Sequence, residues 1–271
     1  MLQIALIQLC ASADIAENIE TVSALVREAA GAGAEFVLTP ENTGFMETNT
    51  RKLFNLAVAE EDDETLRALT AVAREEGIWL LLGSLAVQVG DGKLANRSFL
   101  IAPDGNIVTR YDKAHMFDVS LPGGENYHES KNYQPGSRAV VAESPWGGIG
   151  MTVCYDLRFP YLYRKLAEAG ARILTVPSAF TRPTGEAHWH ILLRARAIET
   201  GCFVLAPAQT GIHPSGRRTF GHSLAIDPWG RILADGGTPV GVTYAKLDLK
   251  QVDRVRRSIP SLKHTRLLDE I

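Results

Sequence analysis

The stretch Gly33-Ala34-Glu35-Phe36-Val37-Leu38-Thr39-Pro40 is echoed later in the chain by Gly170-Ala171-Arg172-Ile173-Leu174-Thr175-Val176-Pro177. Each phrase is a glycine break, a short apolar run and a proline stop. Read physically, that is a helix end, a buried strand and the end of that strand. A second echo pairs Glu75-Glu76-Gly77-Ile78-Trp79-Leu80-Leu81 with Glu199-Thr200-Gly201-Cys202-Phe203-Val204-Leu205, and a third pairs the turn Pro103-Asp104-Gly105 with Asp227-Pro228-Trp229-Gly230. Helical spacing accompanies the strands: Ile15, Ile19, Val22, Val26 and Ala29 after a capping Asp14; Leu66, Leu69 and Ala73; Leu162, Leu166 and Ala169 after Pro160. The repeated order predicts an internal duplication. Two βαβ-rich halves would each supply a sheet with helices on its outer face. Packing the sheets face to face gives an α/β fold, a four-layer α-β-β-α sandwich. No linker rich in Pro, Gly or Ser divides the chain, so residues 1–271 are expected to form a single domain.

Composition narrows the function classes. The 271 residues are 45% hydrophobic and 22% charged, which excludes a disordered or fibrous chain. Lys plus Arg total 28 against 31 for Asp plus Glu, a net charge of −3, so neither nucleic acid nor an anionic membrane is an expected partner. Cys10, Cys154 and Cys202 are too few and too scattered for a disulfide framework. The run Met1-Leu2-Gln3-Ile4-Ala5-Leu6-Ile7-Gln8 reads as a buried first strand rather than a secretion signal. No apolar run approaches the ~20 residues needed to span a membrane. The expected location is therefore cytoplasmic, where the sequon Asn96-Arg97-Ser98 carries no chemistry.

In open α/β sheets, ligands bind beyond the carboxyl ends of the strands. Glu41, Lys113 and Cys154 each follow an expected strand end. Cys154 sits where strand Ile149 to Val153 turns toward a helix, near free backbone N–H groups that favour a thiolate and can bind an oxyanion. Its polar neighbours Tyr155, Asp156 and Arg158 distinguish it from Cys10 and Cys202, which lie in apolar contexts and read as structural. A nucleophilic thiol needs a base. None of the seven histidines occupies a comparable strand end, which leaves carboxylates, with Glu41 best placed. His188 and His190 are two apart on a helix and face different ways, which argues against a zinc pair. Gly31-Ala32-Gly33 lies after a helix and lacks the final glycine of a dinucleotide turn, and Gly92-Lys93 is followed by Leu94 rather than by the hydroxyl of a phosphate loop.

Several ordered motifs resemble the nitrilase (carbon–nitrogen hydrolase) superfamily in its Nit branch. They are Thr39-Pro40-Glu41-Asn42, Tyr111-Asp112-Lys113-Ala114-His115-Met116-Phe117-Asp118, Cys154-Tyr155-Asp156-Leu157-Arg158-Phe159-Pro160, Pro177-Ser178-Ala179-Phe180, Thr184-Gly185-Glu186-Ala187-His188-Trp189, Arg194-Ala195-Arg196-Ala197-Ile198-Glu199, Gly221-His222-Ser223 and Asp227-Pro228-Trp229-Gly230. The resemblance implies a Glu-Lys-Cys triad at Glu41, Lys113 and Cys154, with a further active-site glutamate at Glu129. It also implies substrate contacts at Phe180 and Thr184, and at Tyr155 beside the nucleophile. Arg158, four positions from Cys154 and before the helix, is expected to grip the substrate's carboxylate with its planar guanidinium. The implied activity is hydrolysis of the terminal amide of a small carboxylate-bearing molecule through a cysteine thioester, with ammonia leaving and no metal or organic cofactor. Deaminated glutathione is the favoured substrate; α-keto acid amides such as α-ketoglutaramate are the alternative, and a catalytically silent interaction protein is the rival from another class. The family usually dimerises through helices that include the one after the nucleophile. Tyr161 and His190 depart from the family pattern, each standing where relatives commonly have Glu.

Overall fold

The computed structural model describes residues 1–121 and 124–266. In chain order its strands are β1 (Leu2–Gln8), β2 (Phe36–Leu38), β3 (Trp79–Val89), β4 (Lys93–Ile101), β5 (Ile107–Asp112), β6 (Asp118–Ser120), β7 (Asn126–His128), β8 (Val140–Ala142), β9 (Gly148–Met151), β10 (Ala171–Thr175), β11 (Phe203–Ala206), β12 (Thr210–Ile212), β13 (Arg218–Phe220), β14 (Leu224–Ile226), β15 (Ile232–Asp235) and β16 (Gly241–Leu247). The α-helices are α1 (Ile15–Gly31), α2 (Thr50–Leu56), α3 (Glu64–Glu76), α4 (Pro160–Glu168), α5 (Arg182–Thr200) and α6 (Lys250–Ser258).

Two six-stranded sheets form the middle layers, ordered β16-β1-β2-β3-β4-β5 and β15-β14-β11-β10-β9-β8. Strand alternation shows how they stack. Leu2, Ile4 and Leu6 of β1 join a core with Ile149, Met151 and Ile173 of the second sheet. Their neighbours Ala5 and Ile7 point the other way, into a core with Val22, Val26 and Ala29 of α1 and Leu69, Val72 and Ala73 of α3. Leu162 and Leu166 of α4 and Trp189, Leu193 and Ala197 of α5 complete the core on the second sheet. The expected α-β-β-α layering is present. Asp14 caps α1 by accepting from the Glu17 N–H at 3.1 Å, and Pro160 opens α4. No motif signals β16, which returns from late in the chain to pair antiparallel with all of β1, Leu2 facing Leu247 and Gln8 facing Gly241. The hairpin of β6 and β7, which pairs Asp118 with His128, is likewise without a motif.

Candidate active site

Glu41 stands one residue beyond the proline that ends β2. Its turn is fixed from several sides: Thr39 N–H donates to Leu81 O at 2.9 Å, Asn42 N–H to Ser84 Oγ at 3.1 Å, and Thr43 Oγ1 to Pro40 O at 2.7 Å. Strand β3 comes so close here that a Cβ on Gly83 would lie 2.1 Å from Thr39 O. Asn42 takes a positive φ of 58°, and Cys154 one of 49°. Non-glycine residues in that region are strained and are held there by their surroundings. For Cys154 the surroundings are its own N–H, which donates to Pro177 O at 3.0 Å, and a short 3-10 helix, Cys154–Arg158, that begins at the cysteine. Lys113 follows β5, its N–H donating to Asn96 O at 2.9 Å.

These strand ends meet in one chamber. Glu41, Lys113, Glu129, Cys154, Tyr155, Phe180 and Thr184 all line it. Lys113 Nζ is 3.1 Å from Glu41 Oε1 and 2.8 Å from Glu129 Oε2, and its side chain is only 2% exposed. Glu41 Oε2 accepts from Ala179 N–H at 2.8 Å, and Glu129 Oε2 from Phe117 N–H at 2.6 Å. The chamber thus holds two acids bracketing a buried ammonium, beside a buried thiol.

Burial alone would push Glu41 upward and Lys113 downward. In Glu41 it is outweighed by the Lys113 charge, the adjacent Cys154 thiol and the Arg217 charge, so its carboxyl titrates below its ordinary value. In Lys113 it is outweighed by Glu129 and Glu41, and the ammonium is held well above its ordinary value. Burial and the Glu41 charge push the Cys154 thiol up, with Lys113 only partly opposing. The resting pair is therefore a protonated thiol beside an ionised carboxylate. That differs from the expectation that backbone N–H groups would favour a thiolate: here desolvation and a neighbouring anion win.

Arg158 is the one expected site residue that does not line the chamber. Its guanidinium nitrogens lie 3.3 and 3.4 Å from His188 Nδ1, and its Cζ is 5.4 Å from the centre of the Phe180 ring. A 3-10 helix has about three residues per turn, so a residue four positions on points roughly a third of a turn away from the first. Thr184 does line the chamber, with its hydroxyl already 2.7 Å from the Thr181 hydroxyl. Tyr161 contacts His115 Nε2 through its hydroxyl, and His190 Nε2 sits 3.1 Å from Asp235 Oδ2.

Asn96 and Arg217 are among the chamber residues that the sequence did not single out. Asn96, seen there only as part of a sequon, donates through Nδ2 to Glu41 Oε1 at 2.9 Å and to Glu129 Oε1 at 3.2 Å. Its place on β4, next to the strand that Lys113 follows, was the available signal. Arg217 lies in the turn between β12 and β13 and donates to Ala179 O at 2.7 Å. A basic pair in a glycine turn is no signal of catalysis by itself.

The family model of carbon–nitrogen hydrolases matches residues 3–257 of this chain. A deaminated glutathione amidase from Synechocystis is 41% identical over 265 residues, covering 96% of each chain. The human protein of the same name is 40% identical over 268 residues, covering 97% of this chain and 82% of that one. Among solved structures, the NitFhit protein of C. elegans superposes with a TM-score of 0.92 at 36% identity; the match takes in 98% of this chain and only 65% of that longer one.

Proposed function

The chain belongs to the carbon–nitrogen hydrolase family and hydrolyses amide bonds; from that premise we propose that it cleaves the amide of a small carboxylate-bearing substrate, deaminated glutathione first, through a thioester on Cys154. One observation carries the reading: a carboxylate, Glu41, shares its chamber with both the thiol it would deprotonate and an ammonium 3.1 Å away.

The steps balance as follows. Glu41 takes the Cys154 proton as sulfur attacks the carbonyl carbon. The oxyanion is met by Lys113 and by the Tyr155 N–H, one of the first-turn groups that a helix leaves without an internal partner. One such donor is worth about 3–4 kcal/mol. Glu41 then returns its proton to the nitrogen as the carbon–nitrogen bond breaks. The ammonia expected as leaving group applies to α-ketoglutaramate alone: in deaminated glutathione the amide nitrogen belongs to cysteinylglycine, whose amine leaves instead. Water, deprotonated by Glu41, hydrolyses the thioester, and the proton goes back to sulfur. Glu129 holds Lys113 in place. Tyr155, Phe180 and Thr184 would contact the substrate.

The test is side-by-side kinetics on the two substrates, with acid-quenched protein analysed by mass spectrometry for the acyl adduct on Cys154. Greater kcat/KM on deaminated glutathione and an adduct on that cysteine are expected; a larger kcat/KM on α-ketoglutaramate would make the chain an ω-amidase.

The whole chain acts in this reading as one catalytic domain, in the cytoplasm, and as a homodimer. Among the described residues no helix is long and apolar enough to cross a membrane. Tyr161 on α4 and Ile191 and Ile198 on α5 are exposed apolar side chains, which supports pairing of two copies through these helices. Light scattering after size-exclusion chromatography reads the mass directly.

A further inference from the structure

His190, one of the two residues that depart from the family pattern, meets another histidine across the fold, and it is not His188. His190 lies on α5, His222 in the connection between β13 and β14, and Asp235 at the end of β15. Asp235 Oδ2 is 3.1 Å from His190 Nε2, and its Oδ1 is 2.9 Å from His222 Nδ1. The two imidazole nitrogens and the carboxylate oxygen all lie within 4.8 Å of one another. Around a tetrahedral zinc ion with bonds of about 2.0–2.1 Å, neighbouring ligand atoms stand about 3.3 Å apart.

The surroundings hold the three side chains as ligands are held. His222 N–H donates to Gly237 O at 2.6 Å, its carbonyl accepts from Trp189 Nε1 at 2.8 Å, and its ring stacks on Phe220 with centroids 4.5 Å apart. Its φ is 57°, a conformation that costs a non-glycine residue energy and persists where the surroundings impose it. The His190 ring meets the same Phe220 edge-on at 6.0 Å, and Gly237 N–H donates to Asp235 Oδ1 at 2.9 Å. Supporting contacts of this kind orient metal ligands and set their affinity. The side chains are between 25% and 33% exposed, so an ion can reach them from solvent.

We propose that His190, His222 and Asp235 form a binding site for a divalent transition-metal ion of the zinc class, with water completing its shell. Two imidazoles and one carboxylate suit zinc and its neighbours, whereas magnesium and calcium ask for oxygen ligands. Each donor nitrogen releases to solvent the proton it points at the carboxylate, and the ring's other nitrogen takes one up, so the imidazole stays neutral. None of the three residues lines the chamber, so amide cleavage does not pass through the ion. Its effect is mechanical. The ion ties α5, whose Thr184 lines the chamber, to the β15 edge of the second sheet.

The same trio without metal would be a hydrogen-bonded pin, two imidazoles donating to one carboxylate, and the experiment separates the two. Full-length protein free of any affinity tag is stripped with EDTA, dialysed, and titrated calorimetrically with zinc chloride and with magnesium chloride. Its melting temperature is measured with and without zinc. The variants are His190→Gln, Asp235→Asn, His222→Asn and Cys154→Ala. The first two keep a side chain that can hydrogen-bond within the trio but lose a metal ligand. Asn tolerates the positive φ at position 222. Cys154→Ala removes the chamber thiol as a competing zinc ligand.

Wild type and Cys154→Ala are expected to bind one zinc ion per chain and to melt at a higher temperature with it, and magnesium to give no heat. The three site variants should bind zinc about ten-fold more weakly or worse, and a zinc concentration that saturates wild type should leave their melting temperatures unmoved. Should His222→Asn fail to fold, His190→Gln and Asp235→Asn decide. No zinc binding by wild type, magnesium binding as tight as that of zinc, loss of zinc binding in Cys154→Ala, or unchanged zinc affinity in His190→Gln and Asp235→Asn would each overturn the proposal and leave the trio a pin.

Discussion

The two sheets are one arrangement used twice. From β16 through β5, and from β8 through β15, the pairings run in the same order: antiparallel, parallel, parallel, antiparallel, antiparallel. What differs stands at the strand ends. Beyond Pro40, β2 presents Glu41; beyond Pro177, β10 presents Ser178, and the next N–H, of Ala179, holds the Glu41 carboxylate at 2.8 Å. Leu6 pairs with Leu38 as Met151 pairs with Thr175, so the counterpart of Cys154 in the first half is Leu9. Matching the Pro103 and Pro228 turns sets Lys113 against Thr238 and Asn96 against Gly221. The core requires the same pattern in both halves, while the termini are free to diverge. In the proposed mechanism the nucleophile comes from one half and its base and ammonium from the other, so the chemistry depends on both.

That asymmetry can be attacked in order of expected effect. Cys154→Ala should abolish turnover while circular dichroism and the melting temperature stay close to wild type; residual wild-type-like hydrolysis would remove the cysteine from the mechanism. Glu41→Gln keeps the shape but loses base and proton carrier, and kcat/KM should fall about 10²–10⁴-fold. Its mirror, Ser178→Ala, loses a 3.0 Å hydrogen bond to Val176 O, which should cost about 1 kcal/mol of stability and less than about three-fold in rate. Comparable rate losses at the two positions would erase the distinction between the halves.

The pH dependence follows from the direction of the Glu41 shift. The proposed mechanism needs the carboxylate ionised, so kcat/KM should hold through the ordinary glutamate range and fall only below it, as pH drops through the lowered value. The same lowering contributes stability that is present above the unfolded-state value and is lost as pH falls through the folded one. An acid limb at or above the ordinary glutamate value would contradict the assignment of Glu41 as base.

Asn96→Ala removes a donor shared by Glu41 and Glu129, and a ten- to hundred-fold fall in kcat/KM is expected, as for loss of a hydrogen bond to a charged group. The smallest effect belongs to Cys10, near the end of β1, half-buried with its thiol pushed up by burial. Cys10→Ala should leave kcat/KM within about two-fold of wild type, since it removes only a weak thiol contact; a large loss there would mean that the first half carries chemistry of its own.

The layers were legible from the echoed phrases because glycine breaks, apolar runs and proline stops are local signals. Glu41, Lys113 and Cys154 were legible because each follows a strand end, and the family motifs named them together. Asn96 was not: its partners Glu41 and Glu129 are 55 and 33 positions away, and only the folded sheet joins them. Arg217 was hidden for the same reason. Arg158 was favoured by closeness in the chain, and the pitch of a 3-10 helix carries it away from the chamber. The pairing of β16 with β1 also joins the two ends of the chain, beyond the reach of local pattern.

Asp156 is fully buried two residues after Cys154. Its Oδ2 accepts from Val153 N–H at 2.9 Å and from the Tyr111 hydroxyl at 2.7 Å, and its Oδ1 accepts from His115 N–H at 3.0 Å. Tyr111 and His115 flank Lys113, so one carboxylate ties the lysine's segment to the cysteine's. The consequence is one of portability. Grafting this catalytic pair onto another scaffold would mean carrying Tyr111, His115 and Asp156 with it, because the distance between thiol and ammonium is set by that shared anchor rather than by either strand alone.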